Sequence, residues 1–134
     1  MIVLNERQKK DLEKVAKKYG LKLFVLFGSS ITGKTHKESD IDVAYLGTQN
    51  LTIREEAKIM ISLAPILKNK NVDLINIHMA PPLLLYAIAK NGRVLYATNP
   101  LEFYRLRAYA FKRYIENKPL FELKQKKLLT ELNL

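Results

Sequence analysis

Two short apolar runs, separated by a polar loop, constrain the fold of this chain most strongly. The first run, Leu21–Leu26 (LKLFVL), is followed by Gly28-Ser29, and the second, Val43–Leu46, is preceded by Asp40-Ile41-Asp42. Apolar runs of about four to eight residues bounded by turn signals are typical of buried strands. The sequence therefore predicts two strands whose polar flanking residues lie at one rim of a sheet.

The loop between the runs also fits the spelling of a phosphate-binding P-loop. Gly28–Thr35 (GSSITGKT) matches G-x-x-x-x-G-K-[ST] and follows a predicted strand. In a P-loop the lysine and threonine open a helix whose first N–H groups hold the phosphates, and such a helix needs roughly ten residues. Only His36–Ser39 separate Thr35 from the next strand signal, which disfavours this alternative.

Asp40 and Asp42 are the second candidate for phosphate chemistry. Residues i and i+2 of a strand point to the same face, so the two carboxylates are presented together. Adjacent carboxylates repel each other unless a cation lies between them, and Mg²⁺ is usually held by carboxylates and substrate phosphates. The Gly28-Ser29 turn offers N–H groups and a hydroxyl to the same phosphates. The pattern indicates a nucleotide and metal site; the alternative is a solvated turn.

A third carboxylate follows on a later strand. Asn71–His78 (NVDLINIH) is predicted to be a strand in which Asp73 shares a face with Ile75 and Ile77. An acid at the head of an apolar face is unusual in a structural strand. We therefore expect Asp73 to join Asp40 and Asp42, although an exposed residue at a strand start is the simpler alternative.

Helical patterns flank these strands. Helices are predicted over Asn5–Tyr19 and Thr52–Lys68, each with a capping box at its start, and Pro65 is expected to kink or end the second early. A further helix is predicted from Pro81-Pro82 to Asn91, followed by a strand over Arg93–Ala97. The apolar stripe of the second helix is predicted to consist of Ile53, Ala57, Met60, Ile61 and Ala64.

The residue pattern in the last third of the chain predicts an aromatic and basic helix. Asn99 is its predicted cap, and Pro119 is expected to interrupt it before a final amphipathic helix over Leu120–Leu134. One seam of this helix can pack on the sheet or on another helix. The seam consists of Leu101, Tyr104, Ala108, Phe111 and Ile115.

Composition narrows the classes of function. The chain has 134 residues, no cysteine and a net charge of +10, so disulfides and thiolate metal sites are excluded and anionic partners are favoured. The basic residues are scattered over helix faces, which does not favour direct nucleic-acid binding over lysine enrichment for solubility. No apolar stretch is long enough to span a membrane, and we expect a cytoplasmic protein.

Gly28-Ser29 followed by Asp40-Ile41-Asp42 resembles the signature of the DNA polymerase β nucleotidyltransferase superfamily. The resemblance covers roughly residues 1–118. It is closest to the minimal nucleotidyltransferases, many of which are antitoxins paired with HEPN toxins. It implies an α/β (α+β) fold with a small, mixed, twisted sheet and flanking helices, which we expect mainly on one side. We expect a single domain over residues 1–134, with a helical extension from about residue 100.

The resemblance also implies nucleotidyl transfer. Asp40, Asp42 and Asp73 are the expected catalytic residues and the ligands of two Mg²⁺ ions, and Gly28 and Ser29 are expected to bind the phosphates of ATP. The expected acceptor is a tyrosine hydroxyl of a cognate HEPN ribonuclease toxin, in a type VII-like toxin–antitoxin pair that forms a hetero-oligomer. The alternatives are transfer to a small hydroxylated molecule and a non-enzymatic antitoxin that masks its toxin.

Overall fold

The described chain contains four strands and four α-helices. The computed structural model describes residues 3–28 and 40–132. In chain order the elements are α1 (Glu6–Lys18), β1 (Leu21–Phe27), β2 (Ile41–Gly47), α2 (Ile53–Leu67), β3 (Val72–Asn76), a 3-10 turn (Ile77–Met79), α3 (Pro82–Asn91), β4 (Arg93–Ala97) and α4 (Leu101–Glu131).

The strands form one mixed sheet in the order β3-β2-β1-β4. β1 pairs antiparallel with both β2 and β4, whereas β2 and β3 are parallel and are joined through α2. This arrangement confirms the predicted small mixed sheet. The predicted third strand is shorter than expected, because it ends at Asn76 and Ile77 already belongs to the 3-10 turn.

Helices cover both faces of the sheet, so the expectation that they lie mainly on one side is wrong. α1 and α2 pack on the face that carries Phe24, Val43 and Tyr45. α3 and α4 pack on the opposite face, which carries Val25 and Ala44. The physical reason is visible in β1, where apolar residues occupy both faces and all of them are buried, Lys22 being the one residue that is not. A strand that is apolar on both faces requires cover on both.

The helix starts were predicted correctly. Asn5 and Gln8 form a complete capping box at α1, and Thr52 and Glu55 form one at α2, with each side chain bonding the other residue's backbone N–H. These signals are local, since the four residues of a capping box satisfy one another without help from the rest of the fold.

The predicted apolar stripe of α2 is wrong. Ile53 and Ile61 are largely exposed, and the residues that face the core are Ile59, Leu63 and Leu67. α2 carries apolar side chains on more than one face, so contact with the sheet, rather than periodicity, decides which face is buried. Pro65 does not end the helix early, because it lies in the last turn and α2 continues to Leu67.

α4 is a single helix through Pro119, which corrects the prediction of two helices. A proline removes one backbone hydrogen bond, and the strong helix formers on both sides maintain the helix around it. At the other end, Asn99 accepts a hydrogen bond from the N–H of Leu101 at 2.8 Å, and Pro100 already has helical dihedral angles, as a cap followed by a first-turn proline should.

Of the predicted seam of α4, only Phe111 packs against the core, and its ring lies 5.6 Å from that of Tyr86 on α3. Leu106 and Ala110 are buried under the sheet's second face, whereas Leu101, Tyr104 and Ile115 are exposed. From Glu122 to Leu132 every residue of the helix is exposed. Most of the predicted seam therefore does not pack on the sheet. No helix in the described part of the chain is long and apolar enough to cross a membrane.

Candidate functional site

Asp42 and Asp73 lie directly opposite each other on neighbouring strands. Asp42 is the second residue of β2, Asp73 is the second residue of β3, and the two are register partners in the parallel pair. Register partners in a parallel pair point to the same face of the sheet. This face carries Ala44 and Ile75 and is the one covered by α3 and α4. The structure thus brings together two of the three predicted carboxylates.

Asp40 lies just before β2 and is exposed. It was predicted to share a strand face with Asp42, but β2 begins only at Ile41. Asp40 is nevertheless close enough for its charge to act on Asp42. The three carboxylates therefore form one acidic region at the rim where β2 and β3 begin.

Gly28 closes this region from the side of β1. Its φ is +81°, a left-handed conformation that side chains rarely adopt. A Cβ at this position would collide with the carboxylate of Asp42. A glycine is therefore required both for the left-handed backbone of the turn and for the space that the Asp42 carboxylate occupies. Ser29, the rest of the candidate P-loop through Thr35, and His36–Ser39 lie outside the described residues.

The environment of Asp42 disfavours its charge. Burial, followed by the negative charges of Asp73 and Asp40, raises the pKa of Asp42 above its ordinary value. Repulsion of this kind disappears when a cation is bound among the carboxylates. In the part of the chain that the structure describes, however, no three His, Cys, Asp or Glu side chains form a ready-made metal-binding cluster.

On the opposite face of β2, Tyr45 anchors the strand to α2. Its side chain is almost fully buried, and its hydroxyl donates a 2.9 Å hydrogen bond to the carboxylate of Glu56. Burial and then the Glu56 carboxylate raise the pKa of Tyr45, which keeps the hydroxyl protonated as a donor. Sequence analysis did not identify this pair. The available signal was a tyrosine inside an apolar strand, since a buried tyrosine hydroxyl needs a partner.

The fold and the acidic rim define the class of protein. Residues 10–101 match the family described as Polymerase beta, Nucleotidyltransferase, and the chain belongs to this family. The matched range contains Gly28 and all three aspartates, and it ends where α4 begins. Family membership confirms the predicted resemblance and decides against the P-loop alternative.

The chain is also similar in sequence to a named relative within this class of protein. The chain is 33% identical over 78 residues to the protein adenylyltransferase MntA of Shewanella oneidensis strain MR-1. The aligned region is 58% of this chain and 55% of MntA, so the chain matches about half the length of this relative.

Solved toxin–antitoxin structures contain chains with the same fold. A toxin–antitoxin structure with AMP-PNP has a chain that matches with a TM-score of 0.73 and 21% identity, over 94% of this chain and 98% of the other. A complex of the tri-AMPylated Shewanella oneidensis HEPN toxin with an MNT antitoxin matches with a TM-score of 0.68 and 18% identity, over 96% and 98%. At these identities the similarity shows the fold alone.

Proposed function

We propose that this chain is a Mg²⁺-dependent nucleotidyltransferase that transfers AMP from ATP to a tyrosine hydroxyl of a HEPN ribonuclease toxin, and thereby acts as its antitoxin. The observation that carries the proposal is the pairing of Asp42 with Asp73 beside the open backbone of Gly28. Membership of the nucleotidyltransferase family supports the reaction class. The similarity to MntA supports a protein acceptor.

Mg²⁺ fits the chemistry of the acidic rim. Three carboxylates supply hard oxygen ligands. Burial and then the charges of Asp73 and Asp40 raise the pKa of Asp42, and a divalent cation would relieve the repulsion among the three. Asp40, Asp42 and Asp73 would hold the metal. When bound, Mg²⁺ would neutralise negative charge on the triphosphate and lower the pKa of the attacking hydroxyl.

The residues of the chain have distinct roles in the proposed transfer. The backbone N–H groups of Gly28 and Ser29 and the Ser29 hydroxyl bind the phosphates of ATP. The oxygen of the acceptor hydroxyl forms a bond to the α-phosphorus, the bond from that phosphorus to the bridging oxygen of the β-phosphate breaks, and pyrophosphate leaves. Asp73, which is exposed, accepts the hydroxyl proton.

The partner is expected to contact α4. Leu101, Tyr104 and Ile115 expose apolar surface on this helix. Arg105 and Lys112 lie on the same helix, each paired with a glutamate three or four residues away. Aromatic and arginine side chains are enriched at protein interfaces. We assign residues 1–134 to one nucleotidyltransferase domain with a helical extension from about residue 100, acting in the cytoplasm on a nucleoside triphosphate and a toxin rather than on nucleic acid.

A non-enzymatic antitoxin is the second candidate. It is favoured by one observation, namely that the described carboxylates do not form a ready-made metal cluster. In that case the chain would neutralise its toxin by covering it, and the acidic rim would be dispensable. Transfer to a small hydroxylated molecule is the third candidate.

Co-expression with the cognate HEPN protein tests the proposal. We expect the intact mass of the HEPN protein to increase by one or more AMP units, and we expect no increase with the Asp42→Ala variant, because a paired carboxylate is lost. Circular dichroism of the variant controls for folding. A toxin that is neutralised without any mass increase would instead identify a masking antitoxin.

A further inference from the structure

β3 presents an open edge of the sheet. It is the terminal strand in the order β3-β2-β1-β4, and no described strand pairs with its outer side. Open edges are usually protected by charged side chains, proline or bulges, because unpaired backbone groups recruit further strands. The sequence of β3 is VDLIN, and its single charged residue is Asp73. From Leu74 to Asn76 the edge therefore carries no such protection.

The pairing with β2 determines which backbone groups point outward. The N–H of Ile41 donates to the carbonyl of Asn71 at 2.8 Å, so the odd-numbered residues of β3 direct their backbone towards β2. Backbone direction alternates along a strand in a parallel ladder. Leu74 and Asn76 consequently direct their N–H and C=O groups away from the sheet.

A groove of about 560 Å³ runs along this edge. Its floor includes Leu74, Ile75 and Asn76, and its walls come from the start of α2 on one side and from the 3-10 turn and the start of α3 on the other. The walls are mainly apolar, with Leu51, Met79 and Leu84 among them. The one charged residue that lines it, Glu56, is already bonded to Tyr45. A bare backbone edge between apolar walls matches an extended peptide with apolar side chains.

The groove begins next to Asp73 at one end and leads towards α4 at the other. Asp73 is the residue before Leu74, about 3.3 Å along the strand. In the other direction, Asn50 and Met79 also line a second cavity of about 500 Å³, and His78 links that cavity to a third, of about 270 Å³, lined by Arg105 and Tyr109 of α4. A partner lying on α4 can thus continue into the groove.

The order of elements across the sheet suits an in-line displacement. Gly28 at the end of β1, Asp42 on β2 and Asp73 on β3 succeed one another towards the open edge. With the phosphates held at Gly28, pyrophosphate leaves on the β1 side, so the attacking hydroxyl must enter from the side of β3. The open edge is the side from which an acceptor would approach.

We infer that the acceptor protein binds by adding an extended segment to the outer edge of β3 in this groove, an inference that rests on the proposed function. The segment exchanges hydrogen bonds with the backbone of Leu74 and Asn76, and its apolar side chains contact Met79 and Leu84. The residue opposite Asp73 then points to the same face as Asp42. In an antiparallel pair its Cβ lies about 5 Å from that of Asp73, so this residue carries the acceptor hydroxyl.

Amide hydrogen exchange of the full chain, alone and in complex with the cognate HEPN protein, tests the inference. We expect the amides of Leu74 and Asn76 to exchange at least about tenfold more slowly in the complex, because they become hydrogen-bonded. The amides of Asp73 and Ile75 already face β2 and serve as internal controls, which should be protected in both states. Unchanged exchange at Leu74 and Asn76 in a complex that forms would overturn strand addition.

A pair of matched variants provides a second readout. Met79→Glu places a charge in the groove, and Ile61→Glu places the same charge on the outer face of α2; both side chains are about three-quarters exposed, at 75% and 73%. We expect Met79→Glu to raise the KM for the HEPN protein at least about tenfold, with the KM for ATP unchanged, and Ile61→Glu to have no effect. Equal effects of the two variants would contradict a role for the groove.

The two proposals fail in different ways. AMP transfer without protection of Leu74 and Asn76 would retain the proposed function and reject the docking mode. Protection without transfer would retain the docking mode and identify a masking antitoxin. Absence of both a complex and AMP transfer to the HEPN protein would reject both.

Discussion

Asp42 lies partly buried at the start of β2, against the backbone of Gly28 and within the influence of two other carboxylates. Its raised pKa means that the fold favours the protonated form. The stabilisation from that form is fully present below the ordinary carboxyl pKa of about 4, and it is lost as the pH rises through the higher pKa of the folded state. At neutral pH the ionised side chain therefore lowers the stability of the metal-free protein.

We accordingly expect Asp42→Asn to raise the Tm by a few degrees at pH 7 in EDTA, and by progressively less towards pH 4. The amide keeps the shape of the carboxyl group without its charge. Thermal unfolding of both proteins over this pH range measures the difference. Added Mg²⁺ should raise the Tm of the wild type only, and equal stabilisation of the variant by Mg²⁺ would show that the metal binds elsewhere.

Gly28 and Gly20 allow the effect of strain to be separated from the effect on the site. Both have a positive φ, +81° and +66°, but a Cβ at Gly20 would contact Thr48, far from the acids, at 3.0 Å. We expect each alanine variant to lose about 1–2 kcal/mol of stability from the left-handed backbone. Only Gly28→Ala should also reduce AMP transfer by more than tenfold, because it displaces the Asp42 carboxylate. Similar activities for the two variants would mean that Asp42 is free to move.

At the scale of secondary structure, α4 consists of two parts with different energetics. Its first part buries Leu106 and Ala110 against the sheet, and Tyr114 stacks on Tyr86 of α3 with ring centroids 4.1 Å apart. Beyond Phe121 the helix has no buried residue within the described chain. Its stability there depends on intrinsic propensity and local pairs, which are individually weak.

Two leucine substitutions on α4 should therefore differ strongly. Leu106→Ala creates a cavity under the helix and is expected to cost about 2–5 kcal/mol of unfolding free energy. Leu128→Ala, at an exposed position, is expected to change it by less than about 0.5 kcal/mol. Urea denaturation measures both. A large loss for Leu128→Ala would indicate that the end of the helix is packed in solution, for example against a second copy.

At the scale of the whole molecule, the chain has a net charge of +10 although its candidate site is acidic. Positive charges distributed over the surface attract anionic ligands from a distance, whereas the rim itself repels them unless a cation is bound. The overall charge and the local charge thus act in opposite directions on a nucleoside triphosphate.

We expect the affinity for ATP in the presence of Mg²⁺ to fall by about an order of magnitude between 0.05 and 0.5 M KCl, because salt screens the attraction. Adenosine lacks the phosphates and should bind with little dependence on salt. Calorimetric titration of both ligands measures the effect. If the affinity for adenosine depended equally on salt, the effect would arise from the base-binding site or from the fold, and not from the phosphates.

The sequence by itself determined the features that depend on neighbouring residues. Capping boxes at Asn5 and Thr52 fixed two helix starts, and the spacing of Gly28, Asp40 and Asp42 identified the family. Asp73 was predicted to lie beside the other two acids because an acid leading an apolar strand has few structural reasons to be there, and it is the register partner of Asp42. In each case the physical cause lies within a few residues of the chain.

Tertiary structure alone decided which surfaces are buried and which backbone groups remain open. The buried faces of α2 and α4 were predicted wrongly, because several faces of these helices are apolar and the sheet selects one of them. The opposition of Asp42 and Asp73 and the open edge at Leu74 follow from the strand order β3-β2-β1-β4. Strand order depends on pairing between segments that are distant in sequence, so no local pattern encodes it.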